Sequence, residues 1–139
     1  MIFINPQYFH IRKRGRGRSS VGRVYVRVRI YNTANLTHGK EVELLVDSGS
    51  IHTVIPSEVL EELKIKPIGE MDVKLFEGST VRRKYGMAVV EYENKFRRIT
   101  VVFGEDKDTP VMGVPLLEQL GYIVDPISRK LVPIEGKEV

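Results

Sequence analysis

The chain has 139 residues, which fits one domain, and 42% of them are hydrophobic, enough to form a core. No run of about 18 apolar residues is present to span a membrane, and Arg12-Lys13-Arg14 interrupts the stretch where a secretory signal needs an apolar centre. The absence of cysteine excludes disulfides and thiolate metal sites, and it makes a cytoplasmic location the default expectation.

Positive charge is concentrated at the N-terminus. Of the 22 Lys and Arg residues, eight lie in the first 29 residues, which contain no Asp or Glu, so 14 basic residues face 18 acidic ones in the rest. The basic character therefore belongs to the N-terminal arm and the first strand. This distribution argues against a broadly basic nucleic-acid-binding surface.

Residues 1–20 are interpreted as a basic arm ahead of a domain at residues 21–139. In residues 12–20, Gly and Ser alternate with like charges, a composition that predicts mobile chain. A solvated tail and an arm that makes weak nucleic-acid contacts through residues 12–18 both fit this composition. The apolar and aromatic side chains of residues 1–11 would also suit docking against a partner subunit.

A period-two pattern, typical of a half-buried strand, begins after residue 21. Its aliphatic members are Val24, Val26, Val28 and Ile30. Residues 32–40 contain two Asn and a Gly and predict a turn. Residues 41–46 predict a second strand, which becomes apolar on both faces at Leu44-Leu45-Val46. Burial on both faces predicts that this strand delivers Asp47 near the centre of the molecule.

The segment Asp47-Ser48-Gly49-Ser50 lies between two apolar runs. Asp-Ser-Gly is common in simple surface turns. A surface turn, however, rarely joins two apolar segments that must both be buried. Burying a carboxylate there is costly unless it is hydrogen-bonded, paired or functional, so the pattern favours a carboxylate presented for chemistry.

Two short helices and further strands complete the predicted domain. Residues 57–63 after Pro56, and residues 115–120 before Gly121, have the proline and glycine signals of helix ends. The later strands are predicted at residues 71–76, 80–91, 96–103, 111–112, 123–124 and 130–132, with turns at residues 77–79 and 93–95. Arg82-Arg83-Lys84 is expected to be exposed. About eight strands and two helices indicate a mainly β, barrel-like domain.

Three separated segments together resemble the retropepsin-like aspartic proteases, and more closely the small single-domain members of archaea and bacteria. They are residues 46–50 with Thr53-Val54-Ile55-Pro56, the turn Glu77-Gly78-Ser79, and residues 110–117 around Gly113. The resemblance spans roughly residues 21 to 134. It implies a closed retropepsin-like acid-protease barrel with one or two short helices.

The resemblance also implies a role for each residue of the first segment. Asp47 would be the acid and base, Ser48 would bond across a dimer axis, and Gly49 would leave room for the two loops to approach. Ser50 would hydrogen-bond Asp47, and Gly113 would let its own loop pack against the Asp47 strand. Without the family context, Gly113 is equally well explained as a strand-to-helix turn.

The turn Glu77-Gly78-Ser79 would be the flap that closes over a peptide or protein substrate, although an ordinary surface hairpin has the same sequence signals. Aspartate-catalysed peptide hydrolysis needs two carboxyls that share one proton. No second Asp-Ser-Gly or Asp-Thr-Gly occurs, and Asp106, Asp108 and Asp125 are better explained as loop residues. The resemblance therefore implies a homodimer with one Asp47 from each subunit.

His10, His38 and His52 lack the spacing of metal ligands, so neither a metal nor a cofactor is expected, and a neutral His52 is favoured. Two further functions stay open beside the aspartic endopeptidase. One is a protease-like dimerisation or binding module with little activity. The other is a nucleic-acid-associated protein that acts through its Arg-rich arm.

Overall fold

A computed structural model describes residues 23–125 and 127–134, so the predictions for the arm at residues 1–20, including nucleic-acid contact through residues 12–18, lie outside the described residues. The described part is mainly β, as predicted, and contains two helices. Its strands are β1 (Tyr25–Asn32), β2 (Asn35–Val46), β3 (Thr53–Pro56), β4 (Gly69–Lys74), β5 (Thr80–Tyr92), β6 (Lys95–Gly104), β7 (Val111–Met112), β8 (Tyr122–Asp125) and β9 (Lys130–Pro133). Its helices are α1 (Ser57–Glu62) and α2 (Val114–Leu120). No helix in this part is long and apolar enough to cross a membrane.

Six strands form a ring in the order β1-β2-β7-β3-β6-β5, which closes because β5 also pairs with β1. Strand β4 is added to the outer edge of β5, and β8 and β9 form a separate two-stranded sheet. Most pairings are antiparallel, but β2 with β7 and β3 with β6 are parallel. The very short β7 lies between β2 and β3 in the ring, next to the strand that directly precedes Asp47.

The first hairpin is longer than the sequence predicted. Strand β2 begins at Asn35, so residues 35–40 belong to a strand and not to the predicted turn. These residues pair with the end of β1 through a register irregularity at Tyr31 and Asn32. Five of the six are exposed, and the strand there carries no hydrophobic alternation that would distinguish it from a turn.

The predicted burial of Leu44-Leu45-Val46 on both faces is confirmed. Leu44 and Val46 belong to the main core inside the ring, together with buried residues of β1 and both helices. Leu45 belongs to a second, smaller cluster with residues of β3, β4, β6 and β7. Strand β4 therefore covers the outer face of the ring beside β2, which brings the β4–β5 hairpin close to the end of β2.

Both predicted helices are present. Helix α1 follows Pro56 and buries Leu60, and Asn32 donates from Nδ2 to the Leu63 carbonyl 2.9 Å away, just beyond the end of the helix. Helix α2 ends at Gly121, whose φ of 89° lies in the left-handed region that favours glycine. The buried leucines of α2 join the main core, which fixes the helix that follows Gly113.

The expectation that Arg82-Arg83-Lys84 is exposed is wrong for its central residue. Arg82 and Lys84 are exposed, whereas the Arg83 side chain is only 13% exposed and pairs with Asp108. Successive residues of β5 point to opposite faces, so Arg83 lies on the face opposite to its neighbours. Asp108 is a loop residue, as predicted, but it is buried.

Candidate active site

Asp47 directly follows β2, and the neighbouring β7 fixes its backbone. The Asp47 N–H donates to the Met112 carbonyl over 3.0 Å, and the Leu45 N–H donates to the Pro110 carbonyl over the same distance. These bonds continue the parallel pairing of Leu45 with Val111 and of Val46 with Met112. The side chain is half-buried, so Asp47 opens to the surface instead of lying at the molecular centre.

A tight turn holds one oxygen of the Asp47 carboxylate. The Gly49 N–H donates to Asp47 Oδ1 over 2.9 Å, and the Ser50 N–H donates to the Asp47 backbone carbonyl over 3.0 Å. Among the described residues, none donates to Oδ2. The carboxylate is thus fixed through one oxygen, while the other is available to water, substrate or a second subunit.

The hydroxyl of Ser50 does not bond to the Asp47 carboxylate, contrary to the sequence-based expectation. It donates to the His52 carbonyl over 2.7 Å and accepts the His52 N–H over 3.1 Å. Ser50 is buried, so its hydroxyl satisfies backbone groups where water has little access. Ser50 therefore supports the site by shaping the loop between Asp47 and β3.

Gly113 packs directly against this loop. A Cβ at position 113 would lie 2.6 Å from the His52 carbonyl oxygen and 2.9 Å from that of Ser50. Two hydrogen bonds fix the contact: the Gly113 N–H donates to Thr53 Oγ1 over 3.0 Å, and the Val114 N–H donates to the Ser50 carbonyl over 2.8 Å. Only a residue without a side chain allows this approach.

A cleft of about 590 Å³ separates the Asp47 loop from the β4–β5 hairpin. Asp47 and residues 49–52 line one side, and residues 72–76 with Thr80 line the other. This volume lies in the range of small-molecule and peptide-side-chain pockets. Within the wall, Val73 and Leu75 are buried, while Phe76 and Ile51 expose apolar surface.

Residues 77–79 form the turn of this hairpin, as predicted. Gly78 has a φ of 109°, and a Cβ there would meet no atom within 4 Å, so the turn projects into open space. The Leu75 N–H donates to the Ser79 carbonyl over 2.8 Å, and Ser79 Oγ donates to the Glu77 carboxylate. At the base of the turn, the Arg23 guanidinium lies 5.0 Å from the centre of the Phe76 ring.

Three other ionisable residues, His52, Asp72 and Lys74, line the cleft with Asp47. Partial burial lowers the pKa of His52 below its usual 6.5, which favours the neutral imidazole at pH 7. Asp72 accepts a hydrogen bond from Arg82 over 3.1 Å and is thereby committed to an exposed ion pair. In residues 23–125 and 127–134, no group of three or more His, Cys, Asp or Glu side chains is placed to hold a metal.

The model of an aspartyl protease family, of the retropepsin-like type, matches residues 26–116. The chain belongs to this aspartyl protease family. The matched segment contains Asp47, the turn at residues 77–79 and Gly113, which the fold places around one cleft or against its loop. No curated protein matches the chain.

Sequence reasoning missed Thr53, which supports this site, and it missed the ion pair between Arg83 and Asp108 elsewhere in the fold. Thr53 is buried, and its hydroxyl accepts the Gly113 N–H; the only sequence signal is a hydroxyl in an otherwise apolar strand. The Arg83–Asp108 pair was missed because its members are 25 positions apart. Strand periodicity gave one clue, since Arg83 shares a face with the partly buried Val81 and Tyr85.

Proposed function

We propose that the chain is a homodimeric aspartic endopeptidase, in which one Asp47 from each subunit activates water to hydrolyse a peptide bond. The main support for this proposal is the position and hydrogen bonding of the Asp47 carboxylate in a chain that belongs to this family. The carboxylate lines a cleft, Gly49 holds one of its oxygens, and the other accepts no hydrogen bond from the described residues. A half-buried carboxylate oxygen that faces a cleft in this way is placed to meet water or substrate.

The second carboxylate has to come from another copy of the chain. Asp72 lines the same cleft but is engaged by Arg82, and the sequence has no second Asp-Ser-Gly or Asp-Thr-Gly. Ser48 and Gly49 are exposed on the loop, and the neighbouring Ile51 is 72% exposed. This surface supports an isologous contact in which Ser48 hydroxyls bond across the twofold axis and the glycines leave room.

In the proposed reaction, the two Asp47 carboxyls share one proton because adjacent like charges resist simultaneous ionisation. The ionised carboxylate takes a proton from water as the water oxygen attacks the peptide carbonyl carbon. The protonated carboxyl gives its proton to the carbonyl oxygen, which yields a gem-diol. When the C–N bond breaks, the leaving nitrogen receives a proton from one carboxyl and a gem-diol hydroxyl returns its proton to the dyad.

The β4–β5 hairpin supports a role for Glu77, Gly78 and Ser79 as the flap. Its turn projects from the far side of the cleft from Asp47, so closure would exclude water from the reacting atoms. Strand β4 lies at an end of the strand order, which leaves one edge for pairing with an extended peptide. The six-stranded ring is compatible with the acid-protease barrel expected from the sequence.

The deciding experiment measures cleavage of an unfolded protein from about pH 3 to 7 by wild type and by Asp47→Asn, with the mass of each in the same buffers. Cleavage by a dimeric wild type, with a dimeric and inactive Asp47→Asn, is the expected result. Dimers of both that cut nothing would instead favour the binding module.

Mixing the two proteins tests whether the dyad is shared. If two Asp47 residues form one site, an equal mixture equilibrated to random dimers retains active wild-type pairs in about a quarter of its dimers. Independent sites would leave about half of the subunits active. Activity that follows the fraction of wild-type chain linearly would refute the shared dyad.

A further inference from the structure

Arg83 and Asp108 form an ion pair unlike the others in the described part of the chain. The contact is bidentate: Arg83 Nε donates to Asp108 Oδ2 over 2.7 Å, and Nη2 donates to Oδ1 over 2.9 Å. The Asp108 side chain is 1% exposed and that of Arg83 13%. Ion pairs of the described residues that do not involve Arg83 have side chains at least 44% exposed. Buried bidentate ion pairs fix the relative position of the two segments that they join, whereas exposed ion pairs contribute little to stability.

One end of this pair belongs to the hairpin that faces Asp47. Arg83 lies on β5 shortly after the strand leaves the turn at residues 77–79. A third donor of its guanidinium, Nη1, bonds the Arg82 carbonyl over 2.9 Å, which ties the side chain to its own strand. The position of Arg83 therefore constrains the base of the proposed flap.

The other end belongs to the segment that holds the Asp47 backbone. Asp108 Oδ2 also accepts the Glu105 N–H over 2.8 Å, and the Asp108 N–H donates to the Glu105 carbonyl over 2.9 Å, so the loop before β7 is closed on itself. Two residues after Asp108, the Pro110 carbonyl accepts the Leu45 N–H. Two residues further, the Met112 carbonyl accepts the Asp47 N–H.

We propose that Arg83 and Asp108 are positioning residues of the active site, which fix the flap strand to the segment that carries the backbone of Asp47. The proposal rests on the proposed endopeptidase function for its effect on catalysis. One ion pair and four residues lead from β5 to Met112. Removing one partner leaves a buried charge unpaired, and β5 is then no longer held to the segment that leads to Met112.

The test compares Asp108→Asn with Glu41→Gln, which removes the carboxylate of the exposed Arg27–Glu41 pair in the first hairpin. We expect Asp108→Asn to lower kcat per folded enzyme roughly 10- to 100-fold, with KM changed less than about threefold, because misplacement of reacting groups by about 1 Å has effects of this size. The control variant should keep wild-type values. The double variant Arg83→Gln/Asp108→Asn leaves no unpaired buried charge. If Asp108→Asn does not fold, the kcat and KM of this double variant are compared with those of Glu41→Gln instead.

Amide hydrogen exchange separates positioning from general stabilisation. We expect exchange at Leu45 and Asp47 to accelerate in Asp108→Asn, with little change at Val28 in the core of β1. Equal acceleration of exchange at all three amides together with an unchanged kcat would overturn the proposal. Values of kcat, KM and exchange rate in Asp108→Asn that equal those in Glu41→Gln would also overturn it. If the wild type cleaves nothing, the endopeptidase proposal fails, and the exchange pattern alone decides whether this pair holds the Asp47 segment.

Discussion

Replacing Gly113 by alanine tests the packing on which the Asp47 loop depends. The added Cβ would lie 2.6 Å from the His52 carbonyl oxygen, about 0.8 Å inside the 3.4 Å at which ordinary contact begins. The close atoms belong to the backbone of His52 and Ser50, so no side chain can rotate away. The loop itself has to move, and the hydrogen bond from the Val114 N–H to the Ser50 carbonyl has to lengthen.

The expected loss of stability follows from this overlap. Overpacking of a well-packed site costs about 1–3 kcal/mol, and a lost backbone hydrogen bond adds about 1 kcal/mol. Reduced freedom of the unfolded chain returns about 0.4–1 kcal/mol when glycine becomes alanine. The net destabilisation of Gly113→Ala is therefore about 2 kcal/mol, which lowers Tm by about 8 °C at about 4 °C per kcal/mol.

The thermal unfolding of Gly113→Ala is compared with that of Gly49→Ala, which adds the same methyl group to the Asp47 loop itself. Within one subunit, a Cβ at position 49 would only contact Asp47 Oδ1 at 3.4 Å, and φ of Gly49 is not positive. At concentrations where both variants are monomeric, Gly49→Ala should therefore keep the wild-type Tm within about 3 °C. In a cleavage assay, Gly113→Ala should also lose roughly 100-fold in kcat/KM, since the shift moves the Asp47 loop. Equal Tm values for the two variants would refute the reasoning from the close backbone contact.

Two further predictions concern pH. The hydrogen bonds from Arg83 hold the pKa of Asp108 below its usual 3.8 against the opposing effect of burial, so this stabilisation is complete above pH 3.8 and is lost as pH falls through the folded-state pKa. Denaturant titrations from about pH 6 to 2 should therefore show a smaller acid loss of unfolding free energy in Asp108→Asn than in wild type, and equal losses would contradict this. Burial lowers the pKa of His52 below 6.5, so protonation favours the unfolded chain and stability falls as pH drops below 6.5. An NMR titration of the His52 ring should give a midpoint below 6.5, and a midpoint at or above that value would be inconsistent with the partly buried ring.

The elements that surround the site were predictable because each carries a local pattern. Aliphatic alternation marked β1, the doubly apolar run marked the end of β2, and proline and glycine marked the two helices. Strand β2 was predicted to begin six residues too late, since residues 35–40 are mostly exposed and their pairing is decided by the partner strand. Local patterns predict a strand only where one of its faces is buried.

The internal bonds of the site were less predictable than its residues. The sequence indicated Asp47, Ser50 and Gly113, yet it suggested the wrong partner for the Ser50 hydroxyl. A short side chain in a turn has several backbone groups within reach, and which of them is free depends on how β3 leaves the turn. In the fold, the Ser50 hydroxyl donates to the His52 carbonyl and accepts the His52 N–H, and the Gly49 N–H donates to the Asp47 carboxylate.

Asp108 shows why residue type alone misleads about charged loops. In sequence it lies in Glu105-Asp106-Lys107-Asp108, which is typical of solvated chain, and this local sequence does not reveal that one of the four is buried against Arg83 on another strand. The same short segment then continues through β7 to Gly113, so the ion pair, the backbone bond to Asp47 and the close glycine contact all act on residues 108–113. This segment has few ways to move without moving Asp47. The position of the Asp47 carboxylate is thus determined mostly by contacts of the neighbouring segment, residues 108–113, and not by its own side-chain bonds.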